Sequence, residues 1–255
     1  MATFTPVRDA GLAVSLLTAL RTPARWPQEG ATQVSGWFPA VGLLIGACGY
    51  GIVKLVQLLS LTVAATGVLS VLVVIAWALL TRLLHWDGLA DVADGYWGSH
   101  DEARRLEIMS DSHTGAFGAA AVALVAILEV VAIWSILVAP HQLPLLVVPV
   151  LARFSATAAA WFGKPARPGG LGRSVMGAPS IFAVVVAGSV LALALFALWV
   201  GFGWTGIALG GFGLVMALAI PHVLSLRFGG VTGDVMGASV LLTEALLFAA
   251  FALVV

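Results

Sequence analysis

Charge is what this sequence lacks most. Twelve Lys and Arg and twelve Asp and Glu among 255 residues make 9% charged, against 61% hydrophobic and a mean hydropathy of +1.07. Soluble domains carry about 25% charged residues, and a water-facing shell cannot be built from so few. A soluble globular protein is excluded. The charges cancel to a formal net of +0, so nothing in bulk draws the chain to nucleic acid. Cysteine is nearly absent: Cys48 stands alone in an apolar run, which rules out an internal disulfide and reads as core packing. The alternating ten-residue segments of an outer-membrane barrel are missing as well.

Long apolar runs rich in Leu, Val and Ala are present instead, and in lipid such runs form helices that satisfy their own backbone. A crossing helix needs about 20 of these residues. Hydropathy predicts seven: Gly36 to Val56, Thr62 to Leu84, Thr114 to Val138, Leu143 to Phe162, Ser180 to Val200, Trp204 to Leu224 and Val235 to Phe251. The expected fold is an all-α integral membrane protein, one polytopic bundle of about seven transmembrane helices over residues 1–255. Leu12 to Leu20 is too short to cross. Arg21, Pro23 and Arg25 follow it without a cleavage pattern, so an N-terminal interfacial helix is expected rather than a secretory signal.

The basic residues fall on alternate connections. Arg8, Arg21 and Arg25 precede the first span, Arg82, Arg104 and Arg105 lie between the second and third, Lys164, Arg167 and Arg173 follow the fourth, and Arg227 follows the sixth. The connections around Leu59, Pro140 and Gly203 carry none. By the positive-inside rule the N-terminus is cytoplasmic. Eight of the nine Trp residues, Trp26 among them, lie near predicted boundaries as an aromatic belt. Gly42 with Gly46, and Gly206 with Gly210, have the spacing of close helix contacts.

The chemistry-bearing stretch is His85-Trp-Asp87-Gly-Leu-Ala-Asp91-Val-Ala-Asp94-Gly95, continuing past Asp101 to Asp111 and His113. Asp87, Asp91 and Asp94 stand at i, i+4 and i+7, so a helix puts all three on one face, with neighbouring Cβ atoms about 6 Å apart. Like charges at that spacing repel, and Arg82 cannot neutralise three. A divalent cation with hard oxygen ligands does so: Mg²⁺ takes one or two carboxylates and completes its shell with water and phosphate oxygens. Gly88, Gly95 and Gly98 would let a ligand approach the backbone. The plainer reading, a solvated loop, suits Asp101, Glu102 and Glu107, and Ser99-x-x-Glu102 has the form of a capping box. His85 stands two residues from the first Asp and is a candidate proton acceptor.

Charges inside the spans are costly and need a partner or a polar cavity. Arg153 either pairs with Glu129 or Glu244, or binds phosphate through its planar fork. Gly229-Gly-Val-Thr-Gly-Asp234-Val-Met-Gly237 reads as a turn whose backbone lines a substrate, or as a plain helix–helix turn.

Taken together, the His85–Gly95 motif, Leu106-Glu-Ile-Met-Ser-Asp-Ser112, Gly115-x-Phe117-Gly118, the Gly229–Gly237 segment and Trp37-Phe-Pro-x-x-Gly42-x-x-x-Gly46 resemble the adenosylcobinamide-GDP ribazoletransferase family, the cobalamin or cobalamin 5′-phosphate synthases. The resemblance covers nearly the whole chain. It implies a single catalytic domain in the bacterial inner membrane with a cytoplasmic active site. Its reaction is attack by α-ribazole, or its 5′-phosphate, on the pyrophosphate of adenosylcobinamide-GDP, releasing GMP with Mg²⁺ as cofactor. Carried onto this chain, Asp87, Asp91, Asp94 and Asp111 hold the metal, and a carboxylate or His85 accepts the proton. Arg104, Arg105, Lys164 and Arg173, with Arg153 as a further candidate, attract the nucleotide, while Asp101 and Asp234 orient ribose or metal-bound water. Substrates and the bilayer are the expected partners; a homo-oligomer or association with other corrinoid-pathway enzymes stays open.

Two other readings compete. Asp91-x-x-Asp94-Gly95 matches the opening of the CDP-alcohol phosphotransferase motif, but Tyr96-Trp-Gly-Ser99 stands where that motif needs x-x-A-R. A divalent-cation transporter also uses acidic clusters, usually near the bilayer midplane and between repeats; here the acids sit at one interface and no repeat is visible.

Overall fold

The computed structural model describes residues 6–24, 31–58, 63–139 and 141–254; Arg25, Trp26, Leu59, Thr62 and Pro140 lie outside them. The described residues form helices joined by short turns, with one isolated parallel bridge between Pro165 and Val231. In chain order the helices are α1 (Pro6–Leu17), a 3-10 turn (Thr32–Trp37), α2 (Phe38–Gln57), α3 (Val63–Leu80), α4 (Leu84–Gly98), α5 (Glu102–Ile108), α6 (Ala116–Val138), α7 (Pro144–Phe162), α8 (Leu171–Val175), α9 (Ile181–Arg227) and α10 (Gly233–Val254).

Five of these are long and apolar enough to cross a membrane: the 3-10 turn with α2, then α6, α7, α9 and α10. α3 and α4 pass the same test only together, bent by 88°, which brings the total to six. Length and composition therefore do not yield the expected seven. The difference lies in α9, whose 47 residues would reach about 70 Å if straight, at 1.5 Å per residue. It is not straight. Gly203 has φ 58° and ψ −137°, a conformation open to glycine. Beyond it the helix doubles back, so a β-carbon on Gly210 would lie 2.5 Å from Leu195 Cδ2. Both limbs run the length of the bundle, returning the chain to the end where α9 began.

α7 is the central helix, buried along nearly its whole length, with α2, α9 and α10 around it. The Gly42–Gly46 pair packs directly on α7: a β-carbon at Gly46 would sit 2.7 Å from Leu145 O. Cys48, expected in the core, is exposed on the outer face of α2. Its neighbours Leu43 and Leu44 are exposed too, as befits a lipid-facing stripe. Deep in the bundle Arg153 pairs with Glu244, which decides between the two readings of Arg153 in favour of pairing. Glu129, 2% exposed, is buried near them, its Oε1 without a hydrogen-bond partner.

The corner between α3 and α4 positions the site. Arg82 and Leu83 adopt left-handed backbone, φ 52° and 59°, costing roughly 1–2 kcal/mol each. Hydrogen bonds hold the strain in place: Leu83 N donates to Ala78 O at 2.8 Å and Thr81 Oγ1 to Trp77 O at 2.8 Å. The Arg82 guanidinium donates to Ser15 O and Leu16 O at 3.2 and 3.3 Å, satisfying carbonyls at the end of α1. α1 is thereby pinned beside the corner, too short to cross, as expected of the N-terminal helix. The turn throws α4 across the first turns of α6 and α10.

Candidate functional site

α4 touches the first turns of two spans. At its start, Gly88 lies against α10, where a β-carbon would meet Asp234 O at 2.8 Å. At its end, Asp94 is buried against α6: Gly115 N donates to Asp94 Oδ2 at 2.7 Å and Gly118 N to Oδ1 at 2.8 Å. These are the orphan N–H groups of a helix N-terminus, and a carboxylate satisfies them and favours the helix dipole. The glycines of the acidic motif thus serve helix packing more than ligand approach; Gly95, too, faces Met109 and Phe228.

Asp87 opens into a cavity of about 330 Å³ at this end of the bundle. Its acidic wall is Asp87 of α4 and Asp234 of α10, with Thr232 and Gly233 beside them. Thr232 Oγ1 caps α10 by accepting from Val235 N at 3.1 Å, so the glycine-rich turn both starts the helix and faces the cavity. Arg167, Gly169, Gly170, Gly172 and Arg173 line the same cavity, from a proline- and glycine-bounded loop between α7 and α9. Leu16 and Leu17 of α1 close one side. Arg167 also donates to Leu106 O at 2.6 Å, which ties its loop to α5.

The electrostatics match that layout. Burial first, then the carboxylates of Asp234, Asp87 and Asp94, push Asp91 up from 3.8 to about 7, against the pull of Arg167. Four acids from two helices therefore share one field. His85 lines the same cavity with its Nε2 unpartnered, and burial, then the Arg153 charge, hold its pKa well below the ordinary value. A histidine kept neutral in this way is a poor proton acceptor beside a carboxylate near 7.

The other expected site residues lie elsewhere. Asp111 is exposed and pairs with His113 at 2.6 Å, which lowers its pKa; with Asp94 and Arg104 it lines a separate cleft. Arg104 pairs with Glu107 at 2.6 Å on the surface. Arg105 is a structural tie, its Nε donating to Ser99 O at 2.8 Å and its Nη1 to Arg227 O at 2.7 Å. Asp101, and not Ser99, caps α5 by accepting from Arg104 N at 2.8 Å, so the helix starts two residues later than the expected Ser99 capping box. Lys164 lines a second cavity behind the Val231 turn. Arg167 was missing from the candidate set; nothing in its spacing separates it from the other basic residues of that loop.

Among the described residues no group of three or more His, Cys, Asp or Glu side chains stands close enough to enclose a metal ion. The cavity's carboxylates nevertheless fit Mg²⁺, since hard oxygen ligands suit it and a shell of one or two carboxylates is completed by phosphate and water. Asp87 and Asp234 are the two that would hold it, with Asp91 beside them.

A polytopic helical membrane protein with carboxylates and guanidinium groups lining one cavity has the make-up of an enzyme acting on phosphate esters. The chain belongs to the cobalamin-5-phosphate synthase family, which matches residues 9–252. It is 40% identical over 249 residues to the adenosylcobinamide-GDP ribazoletransferase of Syntrophobacter fumaroxidans, covering 95% of this chain and 97% of that one. It is 35% identical over 239 residues to the protein of the same name from Thermosynechococcus vestitus, covering 94% and 93%. No solved structure matches the chain.

Proposed function

We propose that the protein joins α-ribazole, or its 5′-phosphate, to adenosylcobinamide-GDP and releases GMP. One observation carries this reading: Asp87, Asp234, Arg167 and Arg173 all line a single cavity. A pyrophosphate needs both kinds of group, cations for its charge and carboxylates for an ion and a proton. Phosphoryl transfer is mainly positioning and charge stabilisation. Arg167 and Arg173, with the backbone of Gly169 and Gly170, hold the pyrophosphate. A ribose hydroxyl attacks the phosphorus on the corrinoid side, a new P–O bond forms, and the bond to GMP breaks. The hydroxyl proton passes to a carboxylate of the acidic wall rather than to His85. Mg²⁺, when bound at Asp87 and Asp234, would neutralise charge on the phosphates.

The end of the bundle carrying the site also carries Arg82, Arg104, Arg105, Lys164, Arg167, Arg173 and Arg227, which supports a cytoplasmic site in the inner membrane by the positive-inside rule. Purified protein in detergent is expected to release GMP from adenosylcobinamide-GDP only with α-ribazole or its phosphate, and to stop when EDTA removes Mg²⁺. Release of CMP from a CDP-linked lipid instead would overturn the assignment.

A further inference from the structure

A second cavity, of about 640 Å³, lies on the far side of the turn that closes the first. The partition is thin. Val231 N donates to Lys164 O at 2.7 Å, Ala166 N donates to Val231 O at 3.0 Å, and Val231 faces both cavities. Gly230 runs so close that a β-carbon would lie 2.6 Å from Lys164 O, so bare backbone forms part of the wall.

The two sides of this cavity differ in character. One is apolar and opens sideways from the bundle: Phe162, Leu218 and Leu226 line it and are 73%, 48% and 69% exposed. On a polytopic protein such side chains meet acyl chains. Leu218, His222 and Ser225 fall at i, i+4 and i+7, on one face of the returning limb of α9, and carry that wall from apolar to polar. The other side holds Lys164, which forms no ion pair among the described residues.

An apolar flank beside an unpaired cation at the end of the spans suits an amphiphile with an anionic head. We propose that an anionic phospholipid occupies this cavity, its phosphate against Lys164 and His222 and its chains along Phe162 and Leu218. A soluble phosphate would supply the charge but leave the apolar flank unused. Because the Val231 partition leads on one side into Arg167 and on the other into Thr232 and Asp234, the seated headgroup also fixes both walls of the active cavity. Only this coupling rests on the proposed function; the binding does not.

The test uses the full chain in nanodiscs of phosphatidylcholine with a minority of phosphatidylglycerol, followed by native mass spectrometry. Wild type is expected to retain one phosphatidylglycerol with about a fivefold preference, the size expected for one lysine near an anionic headgroup. Lys164→Gln is expected to lose the preference, while Lys54→Gln, at the far end of α2, keeps it; folding of each is checked by its thermal transition. A second variant, Ser225→Phe, fills the cavity and is expected to expel the lipid. Equal retention of both lipids, or a preference that survives Lys164→Gln, overturns the proposal. Displacement of the lipid by α-ribazole 5′-phosphate or inorganic phosphate overturns it too, because the cavity would then be a substrate site. GMP release should rise with phosphatidylglycerol present, and lipid retention without that rise overturns the coupling alone.

Discussion

Gly88 of α4 lies flat against the backbone of Asp234 in α10, so close that a β-carbon would stand 2.8 Å from the Asp234 carbonyl oxygen. This contact brings Asp87 and Asp234 to one cavity from segments nearly 150 positions apart. Gly88→Ala must push the two helices apart, and the obstacle is backbone, which cannot rotate away. Activity is expected to fall by on the order of a hundredfold, the cost of misplacing reacting groups by about an ångström. GMP-release kinetics on folded protein measure it; near-wild-type turnover would contradict the packing.

Arg167 lines the cavity that Asp87 and Asp234 line, whereas Arg104 lies at a separate cleft. Arg167→Gln is expected to raise KM for the GDP-linked substrate by about ten- to a hundredfold, matching the ~1.5–3 kcal/mol of a charged hydrogen bond. Arg104→Gln, with its guanidinium on the surface, is expected to change KM little. Equal effects from the two variants would deny Arg167 its place.

Asp87 and Asp94 belong to one motif but have different surroundings. Asp94→Ala frees the N–H groups of Gly115 and Gly118 and should lower stability by about 1–2 kcal/mol, as loss of a helix cap does. Asp87→Ala should leave the melting temperature nearly unchanged while abolishing turnover. Thermal unfolding in detergent alongside the activity assay separates them, and a large stability loss in Asp87→Ala would argue against a purely chemical role.

The Arg153–Glu244 pair is buried, at 3% and 2% exposure. Removing one partner strands a charge, and Glu244→Gln or Arg153→Met is expected to cost about 3–5 kcal/mol. Replacing both by Met and Leu should recover much of that loss. Yield of folded protein after detergent extraction reports on it; a double variant no better than either single one would show that the pair does more than balance charge.

Asp91 sets a pH dependence with a definite sign. Its pKa of about 7 in the folded protein lies above 3.8, so the folded state binds the proton more tightly than the unfolded chain. As pH rises from about 4 to about 7 the unfolded state releases that proton first, and stability falls across this window; below it the effect vanishes. In EDTA, Asp91→Asn should therefore melt above wild type at pH 8 and together with it near pH 4. Added Mg²⁺ at pH 8 should raise the wild-type transition more than the mutant's. A difference independent of pH would remove Asp91 from the shared field.

What could be foreseen from residues follows the physics of each segment. Long apolar runs announce membrane helices, and the i, i+4, i+7 spacing of Asp87, Asp91 and Asp94 announced one helix carrying them. That spacing could not reveal that Asp94 turns to the start of α6 while Asp87 opens to the cavity, because the division depends on which span each end of α4 meets. Arg167 and the Pro165–Val231 bridge were hidden for a related reason: loops have no periodicity, and their partners lie far along the chain. Asp101 caps α5 in place of Ser99, whose hydroxyl accepts from Asp101 N instead, because Ser and Asp are both good caps and only the backbone path decides which one precedes the helix.

The reversal at Gly203 has a consequence for biogenesis. It delivers the Val231 turn and α10 to the same end as α4, yet these segments emerge from the ribosome long after α4. Until they insert, Asp87 faces no Asp234, the loop of Arg167 has no Val231 to pair with, and neither cavity exists. A chain halted before α10 would sit in the membrane with its acidic helix held at the Asp94 end against α6 but lacking Asp234, so competence arrives in a single late step rather than by degrees.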